Sequence, residues 1–237
     1  MVLILASALL ALANADRRDV EERLRKSSVE ELISLGAKAV AQLGTYQARL
    51  TKQERVGGKL LDPQTLEITV REKPLAARIK FIAGPAKGRK LLYNVEMRRD
   101  EMRVRESGLL GLFAIWISLD SPMTRKDTNH RVTDLGFGPL LEMIRRDVEQ
   151  AKAQGGFARA DEGFDERGAF CMRYTAPPGA KGLRGDKTRI CVDAALGLPM
   201  RVEVFAGGQL AESYAYEEVV AQKRVTADFF TPDAAGL

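Results

Sequence analysis

The stretch AQLGTYQARLTKQERV, Ala41 to Val56, changes its period in the middle. Before it, Leu32, Ile33, Val40 and Leu43 recur at helical spacing, and Gly44 is a residue that ends helices. From Thr45 the spacing becomes two: Tyr46, Ala48 and Leu50 fall on one side, and Gln47, Arg49 and Thr51 on the other. The sequence thus predicts a helix that runs directly into a strand with one apolar face. Ser27 with Glu30, or Ser28 with Glu31, supplies a capping box for that helix. The charged run DRRDVEERLRK before it either extends the helix or forms a mobile leader.

The period of two continues downstream. Leu66, Ile68 and Val70 share a face; so do Ala77, Ile79 and Phe81, against Arg78 and Lys80. Leu91, Tyr93 and Val95 follow, then Met102 and Val104 against Arg103 and Arg105. The spacers VGGK, EKP and GPAKG are turn-forming. This is the pattern of an antiparallel meander with one apolar and one wet face. Leu109–Leu119, LLGLFAIWISL, is too short to cross a bilayer, and reads as a buried strand or as a flap or wall of an apolar cavity. Pro139 suits a first helical turn, and Leu140, Ile144, Val148 and Ala151 then form a helical stripe that AQGG stops. Strands resume with AFCMRYT, TRICVD, LPMRVEVFA and QLAESYAYEEVV, and the tail TADFFTPD reads as a closing clip. The expected fold is α+β: a large curved antiparallel sheet of about ten or eleven strands, a half-barrel wrapped around two or three helices that cover its apolar face.

The first fifteen residues, MVLILASALLALANA, are uncharged and end in Ala13-Asn14-Ala15, a small-x-small signal-peptidase pattern. They predict a secretory signal cleaved before Asp16, leaving 222 residues as a single periplasmic domain, 16–237, with no integral membrane span. Cys171 and Cys191 are centred on the Gly-rich loop at residue 181, so a symmetric hairpin sets them opposite each other. They form either a cross-strand disulfide in an oxidising compartment or two free thiols. With a single distant His130 they make no zinc ligand set, and no cofactor is implied.

The chain of 237 residues is 45% apolar and 29% charged, with a net charge of +5. Between Arg71 and Arg105 there are eleven Lys and Arg against four Asp and Glu, an excess of +7 that alternates with apolar residues. Arg78, Lys80, Arg103 and Arg105 therefore mark a basic sheet face: a solvated exterior, or a dock for an envelope protein or anionic surface. Export and the lack of a stacking motif argue against nucleic acid. GPAKGRK joins two strands and lacks the P-loop pattern, so it reads as a basic hairpin turn. His130 has Asp127 and Asp134 nearby, but no serine or cysteine sits in a nucleophile elbow. It reads as part of a joint, in which Asn129, Thr133 and Asp134 are the turn and cap residues of the next helix.

Two motifs, YQARLTKQERVGGKL and NHRVTDLGFGPLLEMI, resemble those of an uncharacterised bacterial domain-of-unknown-function family, DUF1571. The first places the family pattern on Tyr46, Leu50, Lys52, Glu54 and Arg55; the second on Asn129, Val132, Thr133, Asp134 and Gly136. The family's Arg-His-Pro order is not kept, since His130 precedes Arg131 and no proline follows. The resemblance spans most of the chain and implies a LolA/LppX-type half-barrel, whose relatives hold lipid or acyl chains between a concave sheet and helices. On that basis the chain is expected to bind an acyl chain or similar apolar ligand in the cell envelope, without enzymatic activity. Ile68, Val70, Ile79, Phe81, Tyr93, Phe113 and Trp116 are the expected cavity residues. A non-enzymatic interaction module using the basic face is the alternative, and a hydrolase the least favoured reading.

Overall fold

The computed structural model describes residues 18–222 and 224–237, so the proposed signal segment, 1–15, lies outside the described residues. Residues 18–26 form a first helix, α1. It ends at Ser27–Ser28, where the second of the two capping boxes starts α2 (Val29–Leu43): the Ser28 side chain accepts from Glu31 N, and Glu31 accepts from Ser28 N. The charged leader is thus a separate helix, docked by Arg159, whose guanidinium donates to Leu24 O at 2.8 Å and also to Ser27 O.

Twelve strands follow: β1 (Thr45–Val56), β2 (Lys59–Leu60), β3 (Gln64–Arg71), β4 (Ala76–Ala83), β5 (Lys90–Asn94), β6 (Glu101–Arg105), β7 (Ile115–Ser118), β8 (Ala158–Phe164), β9 (Ala169–Thr175), β10 (Lys187–Asp193), β11 (Pro199–Ala206) and β12 (Gln209–Ala221). All but β2, which pairs β1 alone, lie in the order β7-β6-β5-β4-β3-β1-β12-β11-β10-β9-β8, antiparallel throughout. The first and last long strands, β1 and β12, thus meet at the centre, and a meander fans out on each side. The chain must then cross from edge strand β7 to edge strand β8. It does so through α3 (Pro122–Arg125) and α4 (Phe137–Lys152), which carries the stripe Leu140, Ile144, Val148 and Ala151 into the core. Gly36 lets α2 approach α4: a Cβ there would stand 3.0 Å from Leu141 Cδ2 and 3.1 Å from Gly197 O.

The main core joins these helices to the inward residues of β1, β3 and β4 (Tyr46, Leu50, Leu66, Ile68, Val70, Ile79) and of β9 to β12. Phe170, Met172, Tyr174, Ile190 and Val192 face it, while Cys171 and Cys191, paired in register, lie on the opposite face and are bonded to each other. The tail does clip the sheet, but on its outer side. Phe230 and α5 (Pro232–Ala235) pack on Ala76 and Leu92, which buries residues of both faces of β4 and β5.

The buried-strand reading fails for one segment. Leu109–Leu119 is not a buried strand. It is a 3-10 turn over Gly108–Leu112 followed by the short edge strand β7, with Leu112, Phe113 and Ile115 exposed. Ile117 and Leu119 of the segment line the cavity described below.

Candidate functional site: a cavity under the helix α4 crossing

Where the chain crosses the sheet, it leaves a partly open cavity of about 150 Å³. Its floor is Leu50, Leu66, Ile79 and Phe81 of β1, β3 and β4, and it continues over Leu91, Met102, Val104 and Ile117 towards the β7 edge. Leu140 and Met143 of α4 and Tyr214 and Tyr216 of β12 form the opposite wall, and Leu119, Met123, Val132 and Leu135 of the crossing segment roof it. A dry apolar cavity of this size takes a ligand as large as benzene.

Of the expected cavity residues, Ile79 and Phe81 stand on this wall. Ile68 and Val70 are sealed in the core, where the α4 side of the sheet leaves no space. Tyr93 packs with Met102, Val104 and Leu119, and its hydroxyl donates to Arg99 O at 3.0 Å. Phe113 is 80% exposed. Trp116 follows the opposite alternation from Ile117 and lies on the outer face, with the guanidinium carbons of Arg98 and Arg103 4.4 and 5.4 Å from its ring centre. Period two assigns residues to a face, but it does not say where on that face the helices leave room.

The basic face is largely engaged by the chain itself. Arg78 lies over Phe229 at 4.3 Å, and Arg105 donates to Gly111 O at 2.7 Å and to Gly236 O at 3.4 Å. Lys80 is exposed, 3.7 Å from Glu67.

At one end of the cavity the walls turn polar. Glu54, only 3% exposed, accepts from Lys52 Nζ at 2.9 Å, from the Thr128 hydroxyl at 2.9 Å and from Asn129 N at 2.6 Å. Burial pushes its carboxyl up, and Lys52 and the Asn129 N–H outweigh that and hold it below its ordinary range. The Asn129 side chain also donates to Arg55 O at 3.0 Å, while the Arg55 guanidinium donates to Gly58 O and Leu210 O. A second latch sits at the other end of β1, where the Tyr46 hydroxyl donates to Glu72 Oε1 at 2.9 Å. Phe137 N, at the start of α4, donates to both Tyr46 and Glu72 at 3.0 Å, and Gly138 N to Glu72 at 3.3 Å. A carboxylate from the turn after β3 thus caps α4 and complements its dipole. Gly136, at φ +111°, must be glycine there: a Cβ would meet Glu72 Oε1 at 2.9 Å and the Tyr46 hydroxyl at 3.1 Å. Asp134 accepts from Arg131 N at 2.9 Å, and Thr133 lies in the same 3-10 turn, Val132–Asp134.

The two sequence motifs are therefore two sides of one joint, between β1 and residues 128–138. A family model described as "Protein of unknown function (DUF1571)" matches residues 43–235. The chain belongs to that family. Among solved structures, this DUF1571 chain is similar to an uncharacterised conserved protein from Thermus thermophilus, at 11% identity over 86% of this chain and 93% of that one, with a TM-score of 0.48. It is similar to the lipoprotein LppX of Mycobacterium tuberculosis, at 16% identity over 84% and 98%, with a TM-score of 0.47. It is also similar to a LolA superfamily protein of Nitrosomonas europaea, at 10% identity over 88% and 99%, with a TM-score of 0.38. No curated protein matches the chain.

His130 of this DUF1571 joint reaches across the cavity to β12. Its Nε2 lies 2.9 Å from Glu212 Oε1, and its Nδ1 3.7 Å from Asp134 Oδ2. Burial alone would push the imidazole down; Asp134, Glu212 and the nearby Glu54 outweigh it and hold the value at about 9. Arg184, 3.6 Å from Glu212 and 2.7 Å from Asp147, also faces this pair. His130 is thus charged at neutral pH and is not available there as a general base. Its folded value lies above the unfolded one, so its contribution is full below about pH 6.5 and is lost as pH rises through 9, a change of about 3 kcal/mol. Urea unfolding from pH 6 to 9.5 is expected to show this decline in the wild type and not in His130→Gln. Parallel profiles for the two proteins would contradict the charged pairing.

Neither Glu72 nor Glu212 stands out in the sequence: one opens the turn spacer EKP, and the other sits in the period-two run AESYAYEE. Among the described residues, the one grouping with metal-type donors is Asp165, Cys171 and Cys191, and both of its sulfurs are consumed in the disulfide.

Proposed function

We propose that the protein binds an acyl chain or comparable apolar ligand in this cavity and acts by binding rather than by catalysis. The observation that carries the proposal is the cavity itself: an apolar wall left unfilled between the concave sheet and α4, with a roof made of an irregular segment held at its polar end. The partly open cavity, about 150 Å³, has leucine, isoleucine, methionine and phenylalanine along its apolar wall and charged residues at its polar end, the arrangement that suits an amphiphile's apolar part. Each ligand CH₂ that leaves water there supplies about 0.8 kcal/mol.

We place the protein in the cell envelope, as a single exported domain. The apolar leader with its small-x-small end supports export, and the Cys171–Cys191 disulfide fits an oxidising compartment. Among the described residues no helix is long and apolar enough to cross a membrane.

Titration with 1-aminoanthracene, a neutral apolar fluorophore, tests the proposal. Wild-type protein is expected to bind it saturably. Leu66→Glu and Ile79→Glu, which put a carboxylate into the apolar wall, are expected to weaken binding at least tenfold, an unpaired buried charge being strongly disfavoured. Trp116→Glu, on the outer face, serves as the control and is expected to bind as wild type does. Equal binding by all four proteins would place the fluorophore elsewhere and overturn the proposal.

A further inference from the structure

The polar end of the cavity has a charge pattern that selects among amphiphiles; this inference rests on the cavity being an apolar-ligand site. Four cations line it, and each is already paired. Lys52 Nζ is 2.9 Å from Glu54, and Arg89 is 2.9 Å from Glu106 and 3.4 Å from Asp127. His130 is 2.9 Å from Glu212, and Arg131 pairs with Asp120. Set against these four, Glu54, Glu106, Asp127 and Asp134 also line the cavity, with Glu212 behind His130. A carboxylate or phosphate entering here finds no unpaired cation among the residues that line the cavity. It meets carboxylates, and it loses its hydration without repayment.

What the cavity does leave free is neutral. Tyr214 lines it and is 8% exposed, and its hydroxyl is buried without a hydrogen-bond partner. An unpaired buried hydroxyl is costly to keep. The side-chain amide of Gln64, also neutral and buried, lines the same space. A phenol can donate to an ester or amide carbonyl and can exchange hydrogen bonds with an alcohol.

We propose that the cavity takes a neutral amphiphile, an acyl ester, acyl amide or long-chain alcohol whose polar group hydrogen-bonds to Tyr214, in preference to a free fatty acid or an acyl phosphate.

The test uses monoolein and oleate, which share one acyl chain, as competitors of 1-aminoanthracene, below their aggregation concentrations at pH 7.5. Monoolein is expected to compete at a concentration at least tenfold lower than oleate. Tyr214→Phe is expected to weaken monoolein about fivefold, the effect of one neutral hydrogen bond, to leave oleate unchanged, and to melt no lower than wild type. Oleate binding as tightly as monoolein, or an unchanged preference in Tyr214→Phe, would overturn the head-group assignment while leaving the apolar site in place. Displacement by neither lipid would remove the apolar-ligand reading and this assignment together.

Discussion

Replacing Glu54 with alanine is expected to cost about 3–5 kcal/mol of folding stability, the range for removing one partner of a buried charge pair. Glu54 is the single acceptor for three groups: the Lys52 ammonium, the Thr128 hydroxyl and the Asn129 backbone N–H. Alanine leaves all three without that acceptor, and Lys52 is itself mostly buried. The effect is also local. This carboxylate holds Thr128 and Asn129, beside Asn129's bond to Arg55 O and His130's to Glu212, so amide exchange there is expected to speed up more than in β9 and β10. Urea unfolding measures the first effect and hydrogen exchange the second. A loss below about 1 kcal/mol, with the segment still protected, would show that the joint is held by other means.

Phe137→Ala is expected to cost a similar 3–5 kcal/mol. Phe137 is fully buried, with its ring centre 5.2 Å from that of Tyr46 and 4.4 Å from that of Tyr216. Such aromatic pairs add about 0.5–1.5 kcal/mol beyond burial. The residue also opens α4, whose first N–H groups depend on Tyr46 and Glu72, so truncation leaves a void at the point where the helix is anchored. Phe137 does not itself line the cavity, so the variant is expected to retain fluorophore binding at temperatures where it remains folded. The check is the urea midpoint with an unchanged slope. A loss under about 1.5 kcal/mol would mean that the core closes over the gap and that Phe137 is not the anchor described here.

Local patterning carried much of this architecture. The switch at Gly44–Thr45, the Ser28–Glu31 box and the α4 stripe are each set by neighbours within a few residues, and each stands where its spacing put it. The facing of the two cysteines follows from hairpin symmetry alone. Less was legible wherever distant segments decide. Pairing of β1 with β12 joins residues more than 150 positions apart, and no local signal marks it. Leu92 falls on the face that alternation makes polar, and only the C-terminal clip, through Phe230, buries it. Phe113 and Trp116 look like core residues by composition, yet Phe113 sits exposed just before the edge strand β7, and alternation along β7 turns Trp116 to the outer face. The motif residues Tyr46, Glu54, Asn129 and Gly136 were visible as motifs, whereas Glu72 and Glu212, which complete the joint, have partners 65 and 82 residues away in sequence.

The most direct test of the ligand-binding account is native mass spectrometry, paired with organic extraction, on full-length protein exported to the periplasm and purified without detergent. The account predicts an added mass carried by the folded protein, an extracted neutral acyl lipid that matches it, and loss of both in Ile79→Glu but not in Trp116→Glu. Folded protein at its bare mass, with no uptake of monoolein or 1-aminoanthracene, would contradict it.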